Sequence, residues 1–291
     1  QVFIAEMGAD KVGEIEFLSK FIQPKIGIIT SIGPQHLNTF KSIENIIHEK
    51  MRLAENLPSD GLAVLNMDND YIRNYKLKNS CQVICYGIDQ EADLKAFDIN
   101  YSPSGSQFKV SYQDEVYNFS TRLLGKHNIA NILSSIAVGI YCGVSFKQLQ
   151  QAVSQVNYIE HRLQLKVING FQYIDNAFNS NPEGSKMSLD VLELMPGHRT
   201  IITPGMIDLG HKQDEYNKAF GAYMKGKADT VLLIGQTQTQ AIYEGLVESG
   251  FNMTNVKVFD KVRQAFDYIE RNATRNDITL LENDLPDAFN R

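Results

Sequence analysis

The sequence is short of cysteine, of net positive charge and of long apolar runs, and each shortage removes a class of protein. Only Cys81, Cys85 and Cys142 stand in the 291 residues. An odd count without metal-ligand spacing excludes a disulfide framework and a structural zinc cage. Cys81 and Cys85, four apart in a strand-like run, point the same way and read as reduced core thiols. A reducing, cytoplasmic setting is the expectation. Against 34 Asp and Glu there are 28 Lys and Arg, a formal net charge of −6. General nucleic-acid binders and binders of anionic membranes need a basic surface, so neither class fits. The longest near-apolar stretch, 132–144, is broken by Ser134 and Ser135. It is shorter than the roughly 20 residues of a membrane-spanning helix, so no membrane insertion is expected. There is no basic leader segment and no initiator methionine. Val2–Ala5 reads as an apolar strand already under way, and an N-terminal part is expected to precede Gln1.

What the chain does have is the composition of an ordinary globular protein, 43% hydrophobic and 21% charged. At roughly 150 residues per domain its length predicts two domains. After Val2–Ala5 the pattern predicts a helix over 15–21, a buried strand at 25–30, a helix over 42–57 and strands at 62–65 and 82–86. Alternation of this kind means a parallel sheet with crossover helices. Residues from about 94 to 122 alternate around turn residues and read as a small antiparallel annex. Helices over 128–142 and 145–156 follow. A boundary near 157–161 then separates a domain at 1–158 from one at 159–291. The second alternates again, with strands at 163–168, 171–174, 200–203, 230–234, 256–259 and 278–281. Its helices lie at 182–194, 214–225, 238–249 and 262–271, a second doubly wound α/β domain.

In open parallel sheets ligands bind outside the carboxyl ends of the strands, so residues there merit attention. Glu6 follows the first strand and His36 the second. A carboxylate and an imidazole with few other ligands suit Mg²⁺ or Mn²⁺ completed by phosphate, although a lone histidine is more often structural. Lys50 interrupts the apolar stripe of Ile43, Ile46, Ile47, Leu53, Ala54 and Leu57. Either it snorkels to the rim, or its ammonium is held there for chemistry or for a phosphate. Asn128 and Asn131, three apart on one helix face, can pair with an adenine edge or merely cap and solvate the helix. His161-Arg162 marks the hinge. Asp175-Asn176-Ala177-Phe178-Asn179-Ser180-Asn181 is a polar strand-to-helix turn before Pro182, able to cap its helix or to face a cleft. The segment 203–210 is a third loop of this kind.

Taken in order, EMGADKVGEI (6–15), TSIGPQHLNTFKSIENIIHEK (30–50), GKHNIANIL (125–133), HRL (161–163), IDNAFNSNPEGSKMSLDVL (174–192) and GMIDLG (205–210) resemble the Mur ligases, ATP-dependent amide ligases of peptidoglycan precursor synthesis. The resemblance implies a central ATP-binding parallel-sheet domain with a small annex, then a Rossmann-like C-terminal domain. It implies that Glu6 and His36 hold Mg²⁺ and that Lys50 is carbamylated. Asn128 and Asn131 would contact the adenine side of ATP, and Arg162, Asp175, Asn176 and Asn179 would face the nucleotide. The implied substrates are a nucleotide-sugar peptide and an amino acid or dipeptide such as D-alanyl-D-alanine, joined through an acyl phosphate. Three departures stand out. The chain has no G-x-x-x-x-G-K-[ST] loop, which the resemblance places upstream of Gln1. Asn176 stands where the family usually has Asp. The segment 280–287 replaces a basic Lys-Gly-Ser-Arg-type ending, so the amine partner is open. A Mur-like ligase for another carboxylate and amine, or a non-catalytic nucleotide-binding paralogue, are the alternatives.

Overall fold

The computed structural model describes residues 2–33, 37–102, 104–178, 181–207 and 209–283. They form two compact units, one made of Gln1–Ile99, Phe108–Phe119 and Lys126–Ser154, the other of Asn100–Gln107, Ser120–Gly125 and Gln155–Arg291.

The first sheet is built from α1 (Glu14–Ile22), β1 (Ile26–Ile29), α2 (Leu37–Phe40), α3 (Ile43–Glu55), β2 (Leu62–Asn66), α4 (Asp70–Arg73), β3 (Gln82–Gly87), β4 (Leu94–Ser102), β5 (Gly105–Tyr112) and β6 (Glu115–Thr121), followed by α5 (Lys126–Tyr141) and α6 (Phe146–Ser154). Its strand order is β1-β2-β3-β4-β5-β6. β1, β2 and β3 pair in parallel, and β4 joins β3 in parallel through Tyr86↔Leu94 and Gly87↔Lys95. The expected annex is therefore continuous with the parallel sheet. β2 lies between two strands, and its Leu-Ala-Val-Leu run is buried throughout, as a central parallel strand requires. Ile46, Met51 and Ala54 of α3 pack into the same core as Ile29, Ala63 and Leu65. Ser42 caps α3 by accepting from the Asn45 amide.

One expected strand is absent. Residues 2–5 are irregular, and Val2, Phe3 and Ile4 are 79%, 78% and 88% exposed. A strand exists only through its ladder, and β1, the neighbouring edge, pairs with β2 alone among the described strands. Glu6 therefore sits in an exposed irregular segment rather than at a strand end.

The second sheet is formed by β7 (Gln164–Ile168), β8 (Phe171–Asn176), α7 (Pro182–Glu193), β9 (Arg199–Thr203), α8 (Gln213–Tyr223), β10 (Thr230–Ile234), α9 (Gln240–Ser249), β11 (Val256–Phe259), α10 (Val262–Asn272) and β12 (Ile278–Glu282). Its order is β11-β10-β9-β12-β8-β7. Five strands run parallel, whereas β7 and β8 form an antiparallel hairpin. Asn169 and Gly170 make its turn, both at positive φ (52° and 84°). That is the Asn-Gly signature of a tight hairpin.

Helices α8 and α9 meet backbone to backbone. A Cβ on Gly245 would lie 2.0 Å from the Lys218 carbonyl oxygen, and one on Gly221 would lie 2.2 Å from that of Ile242. The absence of a side chain at both positions sets this spacing. Gly245→Ala forces the helices apart and is expected to cost about 2–3 kcal/mol, read as a lower urea midpoint; an unchanged midpoint would show that the helices do not pack this closely.

Candidate functional site

Three loops leave the carboxyl ends of β1, β2 and β3, and residues 66–69 stitch them together. The Asn66 amide donates to the Thr30 carbonyl oxygen (2.8 Å), and the Asn69 amide donates to that of Ile32 (2.9 Å). Asn69 also accepts from the Ile72 amide, capping α4. The Asp68 carboxylate accepts from the backbone N–H groups of Ile88 (2.7 Å), Asp89 (3.0 Å) and Gln90 (2.9 Å). One polar loop thus fixes both of its neighbours. Sequence reasoning passed over it, although Asn-Met-Asp-Asn-Asp directly after an apolar strand is a strand-end loop by the same rule that singled out His36. Asp89 in turn pairs with Lys126 (2.8 Å), the first residue of α5. Asn128 and Asn131 lie on the opening turns of that helix, the former half-buried and the latter exposed.

Lys50 lies on α3, half-buried, and has no hydrogen bond or ion pair among the described residues. Burial pushes its ammonium below the ordinary lysine value. Beside it in sequence, Glu49 is 1% exposed. Its carboxylate accepts from the backbone N–H groups of Gly13 (2.8 Å) and Ile15 (2.6 Å). Those donors are the unsatisfied amides that open α1, so Glu49 ties the end of the Glu6–Gly13 segment to the helix that bears Lys50. Sequence reasoning missed Glu49; a glutamate next to the apolar face of α3 was the available signal. Glu6 is exposed, without a partner among the described residues. His36 lies outside the described residues. Among the described residues no group of three or more His, Cys, Asp and Glu side chains is arranged to hold a metal ion.

In the second unit the two segments singled out from the sequence, 161–163 and 175–178, come together. Asp175 at the end of β8 is 4% exposed. Its carboxylate takes hydrogen bonds from Lys166 and from the Ala177 amide (3.1 Å), and His161 Nδ1 lies 3.0 Å away. Burial pushes this carboxyl up, but Lys166, the Ala177 N–H and His161 outweigh it and hold it below the usual aspartate value. The Arg162 guanidinium lies over the Phe178 ring, 5.3 Å from its centroid. Asn176 accepts from the Leu163 amide (3.2 Å) and donates to Glu282 (2.8 Å). Asn179 lies outside the described residues. Asn181 caps α7 by accepting from the Gly184 amide, with Pro182 at its first turn.

Two consequences can be measured. Glu49→Ala strands the buried Ile15 donor and breaks the part-buried bond to Gly13, and is expected to lower stability by about 2 kcal/mol, read by urea unfolding; no loss would place the carboxylate in solvent. Asp175 has a depressed pKa in the folded chain, so its stabilisation is present above the unfolded aspartate value of about 4 and is lost as pH falls through the lower folded value. Asp175→Asn should therefore lower stability at neutral pH and flatten its decline below about pH 4. An unchanged acid limb would contradict the pairing.

The Mur ligase middle domain pattern matches residues 1–139, and that of the Mur ligase glutamate ligase domain matches residues 161–282. The chain is 27% identical over 286 residues to the UDP-N-acetylmuramoyl-tripeptide–D-alanyl-D-alanine ligase of Bacillus subtilis, covering 97% of this chain and 61% of that protein. To the UDP-N-acetylmuramate–L-alanine ligase of Dictyoglomus turgidum it is 34% identical over 177 residues, 60% of this chain and 38% of the other. Its fold superposes on MurF ligase from Thermotoga maritima, solved in complex with ADP, with a TM-score of 0.79 at 18% identity, covering 96% of this chain and 62% of that one. The chain thus spans about three-fifths of the length of the Bacillus relative. Among the described residues no helix is long and apolar enough to cross a membrane. With both patterns matched in order and the fold shared, the chain belongs to the Mur ligase family, carrying its middle and C-terminal domains.

Proposed function

We propose that this chain acts in an ATP-dependent amide ligase of peptidoglycan precursor synthesis that adds D-alanyl-D-alanine to a UDP-N-acetylmuramoyl-peptide. A carboxylate oxygen of the peptide attacks the γ-phosphorus of ATP, ADP leaves, and an acyl phosphate forms. The amine then attacks the acyl carbon, loses a proton, and phosphate departs with the former carboxylate oxygen. The observation that supports this most is the ordered match of both Mur ligase domains along one chain.

The residues divide by role. Lys50, half-buried and without a counter-ion among the described residues, favours the neutral amine that takes up CO₂; the products are a carbamate and a proton. This turns an unpaired cation into an anionic oxygen ligand. Glu6, an exposed carboxylate, together with His36 and the carbamate, offers the hard donor set that Mg²⁺ prefers. Mg²⁺ bound there neutralises the repulsion between carboxylate and triphosphate. Asn128 and Asn131 on α5 meet the adenine. Arg162, stacked on Phe178, with Asp175, Asn176 and Asn179, attends the nucleotide. Residues 1–158 are the ATP-binding domain and 159–291 the C-terminal domain, in a cytoplasmic setting.

A second reading keeps the chemistry and changes the amine. Asn176 and the acidic segment 280–287 favour it, since both depart from what the resemblance expects. The test is phosphate release by the full-length protein with Mg²⁺-ATP, UDP-N-acetylmuramoyl-tripeptide and a panel of amines. Turnover that requires D-alanyl-D-alanine, and that falls at least about 100-fold in Lys50→Ala, is expected. Selectivity for another amine establishes the second reading. No turnover with any pair contradicts both.

A further inference from the structure

Asn176 and Glu282, the latter within the departing segment 280–287, touch each other. β12 lies between β8 and β9, and Glu282 is the register partner of Asn176 on β8. Glu282 is fully buried. Its Oε2 accepts from the Asn176 amide (2.8 Å) and the Ser188 hydroxyl (2.6 Å), and its Oε1 accepts from the Ser185 hydroxyl (2.9 Å). The Asn176 amide is used at both ends, because its Oδ1 accepts from the Leu163 N–H (3.2 Å). That bond fixes which way the amide faces: oxygen toward Leu163, nitrogen toward Glu282. Next door, the Asn283 N–H donates to the Asn176 carbonyl oxygen (3.2 Å). The Asn283 side chain donates to the Gly205 carbonyl oxygen (2.6 Å). Residues 282 and 283 therefore hold the loops that leave β8 and β9 on either side of β12.

An aspartate at 176 would set two carboxylates against each other in a buried place, where like charges cannot both ionise cheaply. An amide removes the conflict and supplies the donor that the glutamate needs. We propose that Asn176 and Glu282 are one coupled unit, a buried clasp in which 176 must be an amide because 282 is a carboxylate. Its work is to position residues 175–178 for the nucleotide, so Asn176 attends the nucleotide as a positioning residue. The positioning role rests on the ligase reading above; the pairing does not.

The test uses the full-length protein carrying Asn176→Asp, Glu282→Gln, or both. In Asn176→Asp the thermal transition at pH 8 is expected to fall by about 5–10 °C. One of the two carboxyls then has a folded pKa above its unfolded value. The deficit relative to the parent is therefore largest above that value and shrinks as pH falls toward 5. Adding Glu282→Gln restores an amide–carboxylate pair and recovers most of the loss. The KM for ATP is expected to rise at least about tenfold in Asn176→Asp and to return in the double variant, with kcat changing less. An unshifted transition, a deficit that ignores pH, or failure of Glu282→Gln to rescue overturns the pairing. Rescue of the transition with KM for ATP unmoved throughout overturns the positioning role. If the parent turns over no ATP with any substrate pair, the ligase reading and the positioning role fall together, and the transition temperatures alone decide the pairing.

Discussion

Backbone amides left open where strands and helices end must find acceptors, and in this chain carboxylates meet that need at the places that matter. Glu49 closes the start of α1, Asp68 gathers the loop after β3, and Asp175 takes the amide of Ala177. A carboxylate is a stronger acceptor for a backbone N–H than a neutral oxygen. The result is a set of strand-end loops held in fixed shape from below.

The same economy of charge explains why Lys50 stands out. Two glutamates of the same helix are already committed: Glu49 to the amides of Gly13 and Ile15, and Glu55 to the Tyr75 hydroxyl. A half-buried ammonium with no counter-ion among the described residues is an uncomfortable resting state. A chain that keeps one is better understood if the amine is altered or met by an anion in use. In the second unit the opposite holds. Lys166 and His161 are both turned to Asp175, and Arg162 is left to stack on an exposed ring.

Much of this was legible in the amino acids. Apolar runs rich in β-branched residues, such as Ile26–Ile29 and Thr230–Ile234, fall in strands because such side chains pack well on the pleated surface. Ser42 and Pro182 mark helix starts for local reasons of hydrogen bonding and fixed φ. Other features were not legible. Val2–Ala5 has the composition of a strand, but a strand depends on a partner that composition does not reveal. Glu49 reads as an ordinary helix-surface acid until α1 is seen to start against it. The hydrogen bond between Asn176 and Glu282 spans 106 positions in sequence, so each looked like an isolated oddity. His36 and Asn179 lie outside the described residues.

The central claim is that a carboxylate is activated by ATP before the amine attacks. The most direct measurement follows oxygen: full-length protein is given the peptide substrate with its reacting carboxylate labelled with ¹⁸O, together with ATP and the amine. The account predicts that each amide formed releases one phosphate carrying one ¹⁸O atom. Amide formation with unlabelled phosphate, the label staying in the amide or passing to water, would contradict it.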